Sequence, residues 1–164
     1  MTDLTAMSHS VGELLVDRKQ TVAVAESSAG GLISACLLAI PGASAFFLGG
    51  GVIYTLAARR ALLPPDDGAL DGVRSASEPY ALWLARTTRA HLDATWGLAE
   101  TGAAGPTGNR YGDAPGHSCI AVSGPVEKVI TLETGTAERQ ENMWAFTNTA
   151  LELLAAAIQS GAGD

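Results

Sequence analysis

The stretch over residues 21–55 constrains the fold most, because it reads strand, small-residue loop, helix, strand without interruption. Val22-Ala23-Val24-Ala25 is a short apolar run of the kind that forms a buried strand. Glu26-Ser27-Ser28-Ala29-Gly30-Gly31 follows at once, and residues 32–40 then read as an apolar helix. Pro41-Gly42 ends that helix, and residues 50–54 read as a second strand. A strand that passes through a glycine-bearing loop into a helix start has an anion-binding geometry. Gly30 and Gly31 allow a ligand to approach the backbone, and the first helical turn offers unpaired N–H groups.

The rest of the chain continues the alternation. Residues 5–18 form an amphipathic pattern, with Met7, Val11, Leu14 and Leu15 at helical spacing. Residues 55–63 read as a short helix, and 64–74 as a polar loop rich in Pro, Gly and Asp. Ser77 suits a helix N-cap, Glu78 favours the dipole and Pro79 is tolerated in the first turn, so a long helix starts there. A third strand over 96–100 runs into a second small-residue loop over 101–108. Residues 117–123 and 128–133 read as a hairpin around Gly124-Pro125, and a last helix covers about 137–159. Early alternation followed by a hairpin predicts a three-layer α/β/α sandwich with a mixed β-sheet, formed by residues 1–164 as one domain.

Composition narrows the function classes. The chain has 164 residues, 47% of them apolar and only 16% charged, as a packed core requires. A net charge of −7 argues against non-specific nucleic-acid binding but leaves room for a small anionic ligand held by local arginines. Cys36 and Cys119 lie among apolar neighbours and read as buried free thiols. The N-terminal residues show no basic region followed by an apolar one, and no run reaches membrane-spanning length, so a cytoplasmic protein is expected.

Five motifs in order resemble the CinA C-terminal domain family, whose stand-alone members include nicotinamide mononucleotide deamidases. They are Ala25-Glu26-Ser27 with Gly30-Gly31, Pro41-Gly42-Ala43-Ser44-Ala45, Gly51-Val52-Ile53-Tyr54, Ser77-Glu78, and Thr101-Gly102-Ala103-Ala104-Gly105-Pro106 with Gly108. The resemblance covers roughly residues 8–155. It implies hydrolysis of the carboxamide of nicotinamide mononucleotide to nicotinate mononucleotide and ammonia, with no metal or organic cofactor. It also implies a nucleotide as the small-molecule partner and a homo-oligomeric assembly.

The resemblance implies catalytic positions at Ser44, Tyr54 and Arg59, and substrate-binding positions at Glu26, Ser27, Gly30, Gly31, Thr101, Gly102, Gly105 and Arg139. Ser44 lies on a tight Gly-Ala-Ser turn that can expose a nucleophile; from the residues alone a helix N-cap explains it better, and the nucleophilic role is what the resemblance implies. Glu26 fits a ribose hydroxyl, a brace for the loop or a cap for the following helix. The resemblance implies Arg139 as the candidate phosphate ligand. The family carries a lysine where this chain has Arg59, five residues after Tyr54. A guanidinium stays protonated and has no acceptor, so Arg59 supplies no general base; it orients a phosphate or stabilises an oxyanion, or is a surface arginine. His117 stands where the family has a threonine and offers a replacement base, or a structural histidine. Two functions follow: a serine amidohydrolase, or a diverged family member that binds a nucleotide without turnover. The proposed pocket is bounded by residues 26–31, 44, 54–59 and 101–108.

Overall fold

The computed structural model describes residues 4–161. The elements in chain order are α1 (Leu4–Asp17), β1 (Val22–Glu26), α2 (Leu32–Leu38), β2 (Phe47–Val52), α3 (Leu56–Leu62), α4 (Glu78–His91), β3 (Trp96–Ala103), β4 (His117–Ser123), β5 (Lys128–Glu133) and α5 (Arg139–Ser160), with a 3₁₀ turn, Ala43–Ala45, before β2. The strands form one sheet in the order β2-β1-β3-β4-β5. β1 pairs parallel with β2 and β3, whereas β4 runs antiparallel to both β3 and β5. The mixed sheet expected from the sequence is therefore present. β3 runs three residues beyond the predicted strand end, because Thr101, Gly102 and Ala103 pair with Cys119, Ser118 and His117.

The two faces of the sheet are filled differently. Val22, Val24, Trp96, Leu98, Ile120 and Val122 pack with Val11, Leu15, Ile33, Phe146, Leu151 and Leu154, so α1, α2 and α5 cover one face. The alternate residues Ala25, Ala99, Cys119 and Ala121 meet Tyr80, Ala81, Leu84 and Ala85 of α4 on the other. This switch of face at every residue is the two-residue period of a strand. Cys36 and Cys119 are buried and free, as the sequence suggests. Among the described residues no helix is long and apolar enough to cross a membrane.

Small side chains let α4 lie close to the sheet. A Cβ added at Gly97 would stand 2.0 Å from the Ala85 carbonyl oxygen and 2.7 Å from the Arg89 Cβ. The first of these is backbone and cannot swing aside. Gly97→Ala is expected to destabilise by roughly 1–3 kcal/mol, as overpacking does, read as a lower urea midpoint. An unchanged midpoint would contradict the close seat of α4.

Candidate functional site

In a parallel sheet the loops leaving the strands gather at one end, where ligands bind in α/β proteins. Here that end carries residues 26–31 after β1, 53–56 after β2 and the loop after β3. A seven-residue helix such as α2 does not hold itself together, and its N-cap, Gly31, has no side chain to offer. Glu26 takes that role. Its Oε2 accepts from the amides of Gly31 and Ile33 at 2.9 and 3.0 Å, and its Oε1 from the Ser34 amide and hydroxyl at 2.8 and 2.6 Å. Glu100 supports the other half of the loop. Its Oε2 accepts from the amides of Ser27 and Ala29 at 3.0 and 2.8 Å, and its Oε1 from the Ser118 hydroxyl at 3.2 Å.

This arrangement corrects the anion-binding expectation for the first loop. The Gly31, Ile33 and Ser34 amides are bound by Glu26, and the Gly30 amide donates to the Ser27 carbonyl at 3.1 Å. Gly30 and Gly31 serve instead through their positive φ of 69° and 99°, which turns the chain into α2. Glu26 is fully buried, so it caps the helix and does not meet a ribose. Glu100 is equally buried, and burial pushes its carboxyl up to about 7. The Ala29 and Ser27 amides hold it down in part, and the neighbouring charge of Glu26 adds to the rise.

A cavity of about 320 Å³ opens above Ser27. Ser27, Tyr54, Thr101 and Gly102 line it together, as do Ser75, Asn109, Arg110 and Tyr111. Thr101 Oγ1 accepts from the Ala76 amide at 3.1 Å, which leaves its proton to donate to a ligand. Arg139 donates to the Gly105 carbonyl, and at 3.3 Å to the Tyr54 hydroxyl. Arg139 thus braces Tyr54 and does not itself line the cavity. Gly105 does not line the cavity. It has φ 112°, and a Cβ there would stand 2.6 Å from the Ala137 carbonyl oxygen, so its contribution is to let the loop pass beneath the start of α5.

Ser44 is not part of this site. It lies in the Ala43–Ala45 turn that enters β2, and Phe47 at the start of β2 pairs with Val22 at the start of β1. Glu26 pairs with Val52 at the far end. Within the chain, Ser44 and the Ser27 cavity therefore lie at opposite ends of the sheet.

Neither basic residue weighed for proton transfer is an acceptor. The Arg59 guanidinium lies 5.9 Å from the centroids of the Tyr80 and Trp83 rings and pairs with Asp66 at 3.4 Å. It lines a neighbouring cavity of about 410 Å³, not the one above Ser27. His117 Nδ1 faces the Glu133 carboxylate, and its Nε2 lies 2.9 Å from the Ala76 carbonyl oxygen and 3.6 Å from Asp113. Both ring nitrogens meet groups that only accept, so both carry protons and the ring is an imidazolium. Burial opposes that charge, but the bonds to Glu133 and Ala76 and the charge of Asp113 outweigh it and lift the pKa above the ordinary histidine value.

His117 thereby ties the Ser75–Ala76 wall of the cavity to β4. Because its pKa is raised on folding, the stabilisation is complete below the unfolded histidine pKa and is lost as pH rises through the folded one. His117→Gln is expected to cost roughly 1–3 kcal/mol at pH 6, with a smaller penalty at pH 9. Nitrogen-15 NMR of the wild type at pH 6, below the ordinary histidine pKa, checks the same point. Two protonated ring nitrogens are expected for His117, and a neutral tautomer would contradict it.

Sequence reasoning missed Glu100 and the 109–113 loop. Glu100 had a signal: a carboxylate inside the apolar run Trp96-Gly97-Leu98-Ala99 needs hydrogen-bond donors in the core. Asn109 gave none beyond a turn-prone composition.

The family model of the CinA C-terminal domain matches residues 4–158. A CinA-like protein of Desulforapulum autotrophicum is 37% identical over 150 residues, covering 90% of this chain and 35% of that relative. A CinA-like protein of Synechococcus is 40% identical over 111 residues, covering 68% of this chain and 26% of the relative. The chain thus spans about a third of the length of the curated relatives it matches. Among solved structures, the competence/damage inducible protein CihA from Agrobacterium tumefaciens superimposes with a TM-score of 0.83 at 28% identity, covering 97% of each chain. A CinA superfamily protein from Escherichia coli shares the fold with a TM-score of 0.85 at 22% identity, over 94% of this chain and 90% of that one. The chain belongs to the CinA C-terminal domain family.

Proposed function

We propose that this chain hydrolyses the carboxamide of nicotinamide mononucleotide, with Ser27 rather than Ser44 as the nucleophile. The observation that carries the reading is the meeting of Ser27, Tyr54 and Thr101 in one cavity at the strand ends. Amide hydrolysis needs a nucleophile, a proton acceptor and donors toward the developing oxyanion. The hydroxyls of Tyr54 and Thr101 are the donors, since each oxygen already accepts a hydrogen bond from the protein and keeps its own proton.

Glu100 is the acceptor in this reading. Its carboxylate is one hydrogen bond from the Ser27 amide, and its pKa of about 7 suits a base working near neutrality. Glu100 stands behind the cavity wall; the Ser27 hydroxyl proton is relayed to it as the Oγ–C bond forms, and is relayed back through water to the departing nitrogen as the C–N bond breaks and ammonia leaves. Water then releases nicotinate mononucleotide from Ser27. Incubation of the purified protein with nicotinamide mononucleotide is expected to yield ammonia and nicotinate mononucleotide in equal amounts. Binding without either product would favour a nucleotide-binding module instead.

A further inference from the structure

The cavity above Ser27 is lined by a single charged residue among the described residues, Arg110, and by no carboxylate. The chain as a whole carries a net charge of −7. A lone cation in a hydroxyl-rich cavity of an acidic protein selects an anionic ligand. Of the other arginines around the opening, Arg59 and Arg74 are paired with Asp66 and Asp113, and Arg139, which donates to Gly105 and Tyr54, does not line the cavity. Among the described residues Arg110 has no carboxylate partner, and its guanidinium donates to the Tyr111 hydroxyl at 2.9 Å over a ring centroid 5.0 Å away.

The loop that presents Arg110 is closed on itself. Asn109 Oδ1 accepts from the amides of Tyr111 and Asp113 at 3.0 and 3.2 Å, and Asn109 Nδ2 donates to Asp113 Oδ2 at 2.8 Å. Asp113 in turn accepts both Arg74 Nη atoms at 2.6 and 3.0 Å. Arg74 also lies 5.1 Å from the Tyr111 ring centroid, on which Arg110 rests as well. The backbone groups and the Asn109 and Asp113 side chains are thus spent on holding the loop, and Arg110 is displayed on a fixed support.

We infer that Arg110 is the anion anchor of this cavity and binds the phosphate of a phosphorylated nucleoside whose remainder lies over Ser27, Tyr54 and Thr101. The inference rests on the nucleotide reading of the site but assigns the phosphate to Arg110 in place of Arg139. A guanidinium takes two phosphate oxygens in parallel, which makes it selective for a phosphomonoester over its dephosphorylated counterpart.

Calorimetric titration of the wild type and Arg110→Gln with nicotinamide mononucleotide and with nicotinamide riboside tests this. Arg110 is exposed, and circular dichroism checks that the variant folds. Loss of a hydrogen bond to a charged group is worth roughly 10–100-fold in affinity. The wild type is expected to prefer the mononucleotide by that factor, and Arg110→Gln to abolish the preference while binding the riboside as before. Equal affinity of wild type and variant for the mononucleotide would overturn the anchor and leave the amidase reading standing. If the mononucleotide does not bind but adenosine 5′-monophosphate does, and Arg110→Gln weakens it, the anchor stands and the nicotinamide reading falls. If neither phosphorylated compound binds the wild type, the anchor is overturned.

Discussion

Glu100→Gln is expected to give a protein that is more stable than the wild type at pH 8 and yet does not turn over. The stability half follows from linkage. Burial lifts the Glu100 carboxyl from 4.5 to about 7 in the folded state, so the fold binds this proton more tightly than the unfolded chain does. Its contribution to stability is fully present below pH 4.5 and is lost as pH rises through 7. The span corresponds to about 3 kcal/mol of destabilisation at pH 8.

Glutamine avoids that loss and keeps the contacts. Its carbonyl oxygen accepts from the Ser27 and Ala29 amides in place of Oε2, and its NH₂ donates to the Ser118 hydroxyl oxygen in place of Oε1. The urea midpoints of variant and wild type should therefore converge near pH 4.5 and separate toward pH 8. The catalytic half follows from the amide having no basic lone pair. Loss of a general base lowers the rate roughly 10²–10⁴-fold, with affinity for the mononucleotide retained. A variant that is less stable than wild type at pH 8 would contradict the buried-charge account. A variant with unchanged rate would remove Glu100 from the chemistry.

Most of the fold was legible because it rests on periodicity and on local punctuation. The alternation of Val22, Val24, Trp96 and Leu98 toward one core with Ala25 and Ala99 toward the other is written in residue size. Ser77 caps α4 as expected, accepting from the Tyr80 amide at 3.4 Å. The extension of β3 to Ala103 was not legible, because it depends on which strand lies beside it.

The site was legible only in part. Ser27, Tyr54, Thr101 and Gly102 meet as the motifs imply. Ser44 came from the Gly-Ala-Ser motif of the resemblance, and a motif does not say at which end of the sheet its turn stands. In the parallel pair β1 and β2, the loop leaving one strand and the turn entering the next stand at opposite ends. Gly30 and Gly31 were given to the ligand because unpaired amides were counted from the helix start alone, whereas the cap weighed for Glu26 is the role it takes. The carboxylate that fills them lies five residues before Gly31, and the sequence shows its presence but not its direction. His117 offered a base only while its partners were unknown. Glu133 and Asp113 reach it from β5 and from the loop before β4.

Alanine at each of two serines separates chemistry at Ser27 from chemistry at Ser44. Ser27 lines the cavity beside Tyr54 and Thr101, whereas Ser44 is exposed on a turn at the other end of the sheet. Removing a nucleophile that acts with its base and donors as a unit costs roughly 10³-fold or more in rate. The decisive measurement is ammonia release from nicotinamide mononucleotide at pH 8 by the wild type, Ser27→Ala and Ser44→Ala, each first shown to be folded. Product is expected from the wild type, at the same rate from Ser44→Ala, and not above background from Ser27→Ala. Activity retained in Ser27→Ala and lost in Ser44→Ala would contradict chemistry at Ser27.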